Sequence, residues 1–221
     1  MTPSPSDLRS WLRSLPVFPE QIAPFDTGAL PDAPEALFLE WIESAVAAGQ
    51  PAAHAACLST SDSNAVPSAR YLILKDLDER GWQFASHRTS PKGRDLTENP
   101  VAALTFFWPT IARQVRLTGT VTELPREESA RDFLARPLSS RAATLVGRQS
   151  EPLQATEDYG DAISAALQKL EEDDSTLDNA WTLYALAPSR VEFWQASADR
   201  EHTRVLYRKH RDTWETTHLW P

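Results

Sequence analysis

Three strand-length apolar runs follow one another along the first half of the chain: Ala53 to Ser59, Val66 to Lys75 and Trp82 to Ser86. Only polar turns separate them, Ser61 to Asn64 and then a segment ending in Gly81, so successive strands read as an antiparallel meander. A chain ordered this way has no place for a doubly wound nucleotide-binding crossover, and it contains no GxGxxG. The pattern continues with Val101 to Trp108, a turn at Pro109 to Ala112, and Arg113 to Glu123. In that last run Val115, Leu117 and Val121 share one face, and Gln114, Arg116, Thr118, Thr120 and Thr122 share the other. The polar row is either a solvent face or the wall of a ligand cleft, and periodicity does not choose between them. Trp181 to Ala187, Arg190 to Trp194, Arg204 to Arg208 and Trp214 to Leu219 supply further strands.

Helices are inserted around this sheet. Residues 1–31 are rich in proline and read as a partly ordered arm, with a short helix around Asp7 to Leu15. Asp32 and Pro34 then start a helix in which Leu37, Phe38, Trp41, Ile42, Ala45 and Val46 recur at helical spacing, ending near Gly49. Pro125 opens another that stops at Arg136-Pro137, Ser139 to Val146 gives a second short one, and Thr156 to Leu170 is longer and amphipathic. The sequence therefore specifies one α+β domain, residues 32–221, built on an antiparallel barrel-like sheet with flanking helices.

Two stretches carry polar chemistry. Trp82 to Ser86 delivers the chain into a helix start, with Ser90 as N-cap, Pro91 in the first turn and Asn99-Pro100 as the stop. Arg88, Lys92 and Arg94, with the hydroxyls of Ser86, Thr89 and Ser90, surround that N-terminus. They make either a phosphate site or a solvated basic turn. Arg70 and Lys75 bracket the preceding strand, but strand parity sends them to opposite faces unless the strand bends. The second stretch is Val191 to Arg208, where Arg200, His202 and Arg204 alternate. In an extended segment they project from one face, which is either an exposed edge or a place where an anion or electron-rich ring sits among them.

The net charge of −9 argues against a nucleic-acid or membrane surface and makes these basic clusters stand out. A single cysteine, Cys57, excludes an internal disulfide and is expected as buried packing. The five histidines show no ligand spacing, and HExxH, P-loop and GxSxG patterns are missing, so no metal site is expected. No signal-peptide core and no 18-residue apolar window occur, giving a cytoplasmic expectation.

RYLILK at Arg70 to Lys75, FASHRTSPKGR at Phe84 to Arg94, FFWPTIARQVRLTG at Phe106 to Gly119, Arg136-Pro137, RQS at Arg148 to Ser150, and VEFWQ with REHTR near the end resemble the pyridoxamine 5'-phosphate oxidase family. The resemblance implies an FMN-binding split β-barrel working as a homodimer, with flavin between subunits. The activity implied is hydride transfer from a small-molecule substrate to flavin N5, with O2 reoxidising the flavin and releasing H2O2. Carried over, Arg70, Ser86 and Lys92 hold the flavin phosphate, and Lys75 lies between flavin and substrate. Gln114, Trp194 and Arg204 approach the flavin ring, and Gln149 and Ser150 come from the partner chain. Lys75, Asp132, Arg136 and Ser140 match the residues that grip the substrate phosphate. Arg200 and His202 match the family's substrate-facing arginine and histidine and, by the resemblance, would be the catalytic pair that orients the substrate.

Several positions depart from the family pattern. Asp132 stands where the family has a tyrosine, and a carboxylate ~4 Å from a phosphate is repulsive by about a kcal/mol or more. Pro91 replaces an arginine that binds the flavin phosphate, Ala85 replaces an aromatic, and Thr182-Leu183 replaces a glycine pair. An oxidase of the same fold acting on a non-phosphorylated aromatic of the phenazine type, or a flavin-binding module without turnover, therefore stands beside the vitamin B6 phosphate oxidase reading.

Overall fold

The computed structural model describes residues 7–19, 21–197 and 199–221. The strands are β1 (Ala55–Ser61), β2 (Pro67–Asp78), β3 (Gly81–His87), β4 (Val101–Trp108), β5 (Arg113–Glu123), β6 (Trp181–Gln195), β7 (Thr203–His210) and β8 (Thr213–His218). They pair in the order β3-β2-β1-β4-β5-β6-β7-β8, and β3 also pairs with β6. That last pairing closes β1 to β6 into a six-stranded antiparallel barrel, with Trp82 opposite Leu186 and His87 opposite Trp181. The helices are α1 (Leu8–Ser14), α2 (Pro34–Ala47), α3 (Pro91–Glu98), α4 (Arg126–Leu134), α5 (Leu138–Leu145) and α6 (Thr156–Glu172). Among the described residues no helix is long and apolar enough to cross a membrane.

The chain divides into two compact units. The first comprises residues 54–105 and 116–191. Its core holds Leu58, Trp82, Phe84, Leu104, Leu117 and Leu186, with the Phe84 and Tyr184 rings stacked 5.4 Å apart. A Cβ on Gly119 would lie 2.0 Å from the Ala187 carbonyl oxygen and 2.5 Å from Pro188 Cα, so glycine is what lets these backbones touch. The strand pattern expected from the sequence is corrected next to this contact. The two segments expected at Trp181 to Ala187 and Arg190 to Trp194 form one strand, β6, which runs unbroken through Pro188. Proline's fixed φ is compatible with extended backbone, and its missing N–H removes only one ladder donor.

The second unit comprises the described residues up to Ala53, with Phe106–Val115 and Glu192–Pro221. α2 buries Leu37, Phe38, Trp41 and Ala45 and half-buries Ile42, but Val46, expected on the same face, is exposed in the last turn, where the helix has run past the residues it packs on. Trp41 meets Phe193 edge-on at 5.1 Å, and Phe38 meets Phe106 at 4.8 Å. The proline-rich arm lies on this unit. Phe25 packs on Trp41, Phe18 on Phe107 and Trp194, and the Pro31 carbonyl accepts a 3.0 Å hydrogen bond from Tyr207. Residues 1–6 of that arm lie outside the described residues. Cys57 is half-buried instead of buried, because β1 alternates and Cys57 shares its outward parity with Tyr71, its partner on β2.

Candidate functional site

β3 ends at His87, and the turn that follows sets up α3. Ser90 adopts an extended N-cap conformation and its hydroxyl accepts from the Gly93 N–H at 3.3 Å. Ser86 Oγ lies 3.3 Å from Ser90 Oγ. The Lys92 ammonium donates to Ser90 Oγ at 3.4 Å and to Gln149 Oε1 at 2.9 Å. From β2, the Arg70 guanidinium donates to Thr60 Oγ1 at 2.7 Å and Ser68 Oγ at 2.6 Å. It sits 4.0 Å from Asp95, which Thr60 itself bonds at 2.6 Å. Thr60 and Asp95, which the sequence reading did not single out, thus aim Arg70. Sequence offers no signal for this, since the contact follows from packing α3 beside β1.

Arg70, Ser86 and Lys92 line one cleft of about 660 Å³ in the first unit, a size typical of small-molecule sites. Burial pushes the Lys92 ammonium down to about 8, and the neighbouring Arg70 charge pushes the same way. Burial also lowers Arg70, against the opposing pull of Asp95. Two cations desolvated against each other favour an anion beside them, and the helix start adds to that preference.

A pH dependence follows. Lys92 is proton-depleted relative to an unfolded lysine between about pH 8 and its usual value of 10.5, so its contribution to stability is least favourable below pH 8 and improves as pH rises through that window. A bound anion raises the lysine again, so anion affinity should fall by up to about tenfold per pH unit above pH 8. Sulfate, whose charge is constant over this range, serves as the probe. Its effect on melting temperature between pH 7 and 9.5 should fade across pH 8, and a flat profile would contradict the assignment.

Lys75 is the extra residue of a bulge in β2, where the pairing with β3 slips between Leu74 and Asp76. The bend that parity required is present, yet it carries Lys75 into a smaller adjoining pocket of about 220 Å³ beside Asp132. The Lys75 ammonium is 3.0 Å from Asp132 Oδ1, and Asp132 Oδ2 accepts from Trp181 Nε1 at 2.8 Å. Arg136 lies 4.0 Å over the Trp181 ring and donates to Thr144 Oγ1 at 2.5 Å. Both Arg136 and Trp181 line the large cleft. Ser140 is half-buried on α5, its carbonyl accepting from Thr144, and it lies outside the cleft lining. His87, also in the lining, places Nε2 3.2 Å from Asp178 and Nδ1 2.8 Å from Thr89 Oγ1.

Gln149, assigned through the resemblance to a partner chain's flavin, stands here against Lys92 of its own chain. Ser150 is exposed in a left-handed conformation, φ 70°.

The remaining candidates belong to the second unit. Gln114 is half-buried on β5. Trp194 stacks at a tilt on His202, ring centres 5.0 Å apart. The Ser197 N–H donates to His202 Nδ1 at 3.1 Å, which leaves Nε2 as the protonated nitrogen of the neutral ring. The extended alternation expected for Arg200, His202 and Arg204 does not hold. Arg200 sits in a turn at φ 69°, donating its N–H to the Ser197 carbonyl, and the strand begins only at Thr203. Arg204 is already matched by an anion of its own chain, since Glu192 Oε1 accepts from its Nη2 at 2.8 Å and Nε at 3.0 Å. The sequence reading missed Glu192. Its place two residues before Trp194 on the same strand face was the available signal.

Comparison with known proteins places this geometry. A sequence model described as pyridoxamine 5'-phosphate oxidase matches residues 42–195. The chain belongs to the pyridoxamine 5'-phosphate oxidase family. A second model, the pyridoxine 5'-phosphate oxidase C-terminal dimerisation region, matches residues 181–221, which hold β6, β7 and β8. Relatives named pyridoxine/pyridoxamine 5'-phosphate oxidase include one from Pseudomonas fluorescens SBW25. It is 39% identical over 193 residues, covering 86% of this chain and 90% of the relative. Another, from Anaeromyxobacter dehalogenans 2CP-C, is 38% identical and covers 90% and 100%. Among solved structures, PhzG from Burkholderia lata 383 in complex with tetrahydrophenazine-1-carboxylic acid superposes with a TM-score of 0.84. It is 28% identical and covers 90% of this chain and 99% of that one. The family is one of oxidase-like flavoproteins, and its fold is the barrel described above.

Proposed function

We propose that this protein is an FMN-dependent oxidase working as a homodimer, with the reaction type of pyridoxine/pyridoxamine 5'-phosphate oxidase. The observation that carries the reading is the pairing of Arg70 with the desolvated Lys92 in a cleft at the N-terminus of α3. Such a site fits the phosphate of a flavin. Arg70 and Lys92 would hold its charge, with Ser86 and Ser90 supplying hydroxyls. When bound, FMN would supply the hydride acceptor and, through O2, the route to H2O2. Arg200 and His202 would orient the substrate, His202 donating from Nε2 because Nδ1 is occupied by the Ser197 amide. Gln114, Trp194 and Arg204 would face the flavin ring, and the match of residues 181–221 to a dimerisation region supports assembly as a pair.

The test is direct. Purified protein should carry a flavin spectrum or take up one FMN per chain, and should consume O2 with release of peroxide when offered a substrate. Colourless protein that ignores FMN at high micromolar concentration would overturn the proposal.

A second reading concerns the substrate. An oxidase of the same fold acting on a non-phosphorylated aromatic is favoured by one observation, the Lys75 to Asp132 ion pair. Under either reading Arg136 is a substrate-binding cation on the Trp181 shelf. Arg136→Ala should raise KM about 10- to 150-fold while flavin content stays unchanged, since a charge-assisted hydrogen bond is worth about 1.5–3 kcal/mol. Flavin loss equal to that of a Lys92 variant would mean the two anion sites have been interchanged.

A further inference from the structure

We propose that Asp132 makes the substrate end of the cleft reject phosphate, so that the ligand accepted there is a ring compound with at most one negative charge. This rests on the oxidase reading and concerns only its substrate.

The argument begins with charge. Lys75 and Asp132 line the small pocket together with Asp76, Arg80, Glu128 and Arg131, and Arg136 lines the large cleft within reach of the Asp132 and Asp178 charges. Lys75 and Asp132 are in contact at 3.0 Å, with side chains 31% and 17% exposed, so the pair is shielded enough to persist and contributes no net charge. Arg80 is matched by Asp78 and Glu128, Arg131 shares the small pocket with Asp76, and the cation this end presents to the large cleft is Arg136. A phosphate monoester near neutral pH carries about −1.5 to −2. It would leave an excess negative charge next to the Asp132 carboxylate, whereas one carboxylate group balances Arg136.

Geometry reinforces the charge. The bulge at Lys75 turns its ammonium into the pocket shared with Asp132, Arg80 and Glu128 instead of the large cleft. Asp132 holds it there while its other oxygen accepts from the Trp181 indole. Trp181 in turn presents its face to Arg136 at 4.0 Å. A single carboxylate thus withdraws one cation and fixes the aromatic shelf for the other. A flat, singly charged ring system suits the surface that remains.

Asp132→Asn separates charge from shape, because the amide oxygen still accepts from Trp181 while Lys75 is released. The probes are pyridoxine 5'-phosphate and pyridoxine, identical except for the phosphate, with equilibrium binding to the protein as purified read by calorimetry. In the wild-type protein the phosphate should improve affinity less than threefold. In Asp132→Asn the ratio should rise at least tenfold above the wild-type value through tighter binding of the phosphate form alone, and Lys75→Ala in that background should abolish the gain. Asp132→Tyr, which also removes the carboxylate, provides the same readout should the asparagine variant fail to fold. A ratio above threefold in the wild-type protein, or one that does not change on substitution, overturns the proposal. Lack of flavin would instead overturn the oxidase reading, and leaves this ratio measurable.

Discussion

Lys92→Ala is expected to weaken FMN binding by about 2–3 kcal/mol, or roughly 30- to 150-fold, while leaving the flavin-free protein as stable as the wild type or more so. The two effects have opposite signs for one reason. In the flavin-free protein the ammonium is desolvated and faces the Arg70 charge, which is why it titrates at about 8. Removing it relieves both penalties and costs only its bonds to Ser90 and Gln149. With the flavin phosphate present the same charge is neutralised in a partly dry site, where a charge-assisted bond is strong. Pro91, at the first position of α3, stands where the family resemblance implies another phosphate-binding arginine, so under the proposed function Arg70 and Lys92 would carry a larger share of the load. Titration of free FMN fluorescence with each protein, beside thermal melts without flavin, reads the two numbers. A change in dissociation constant of less than threefold would remove Lys92 from the flavin site.

The legible part of this protein was its local code. The Ser90-Pro91 start of α3, the inward face Val115, Leu117 and Val121 of β5, and the burial of Leu37, Phe38, Trp41 and Ala45 on α2 all follow from rules that act within a few residues. What escaped was decided between segments. Strand parity separates Lys75 from Arg70 unless the strand bends, but whether a bulge carries Lys75 into the main cleft or away from it involves Asp132, far along the chain. The cationic row at Arg200 to Arg204 failed for a similar reason. The turn closed by Asp199, whose carboxylate accepts from the Glu201 N–H, breaks the extended geometry, and Glu192 on the neighbouring strand answers Arg204. The roles of Arg70, Ser86 and Lys92 came from the family resemblance. That the three line one cleft is a separate observation.

Gly93→Ala should couple loss of fold to loss of flavin in a single substitution. A Cβ at Gly93 would fall 2.2 Å from the Arg88 carbonyl oxygen, 2.6 Å from its carbon and 2.7 Å from the His87 oxygen, all backbone atoms with no rotamer to yield. The Gly93 N–H is also the donor that Ser90 caps, so the first turn of α3 cannot retreat without breaking its own cap. Overpacking of this kind costs about 1–3 kcal/mol, and a clash with backbone belongs at the upper end. Near 3 kcal/mol a chain of this length should melt about 6–12 °C lower. Because retreat of α3 also moves Lys92 and Ser90, flavin affinity should fall with it, whereas Gly160→Ala, where a Cβ meets nothing within 4 Å, should leave flavin affinity unchanged and stability at least as high. A Gly93→Ala protein that melts normally but has lost its flavin would show that the helix start shifts cheaply, and that its position serves the anion site alone.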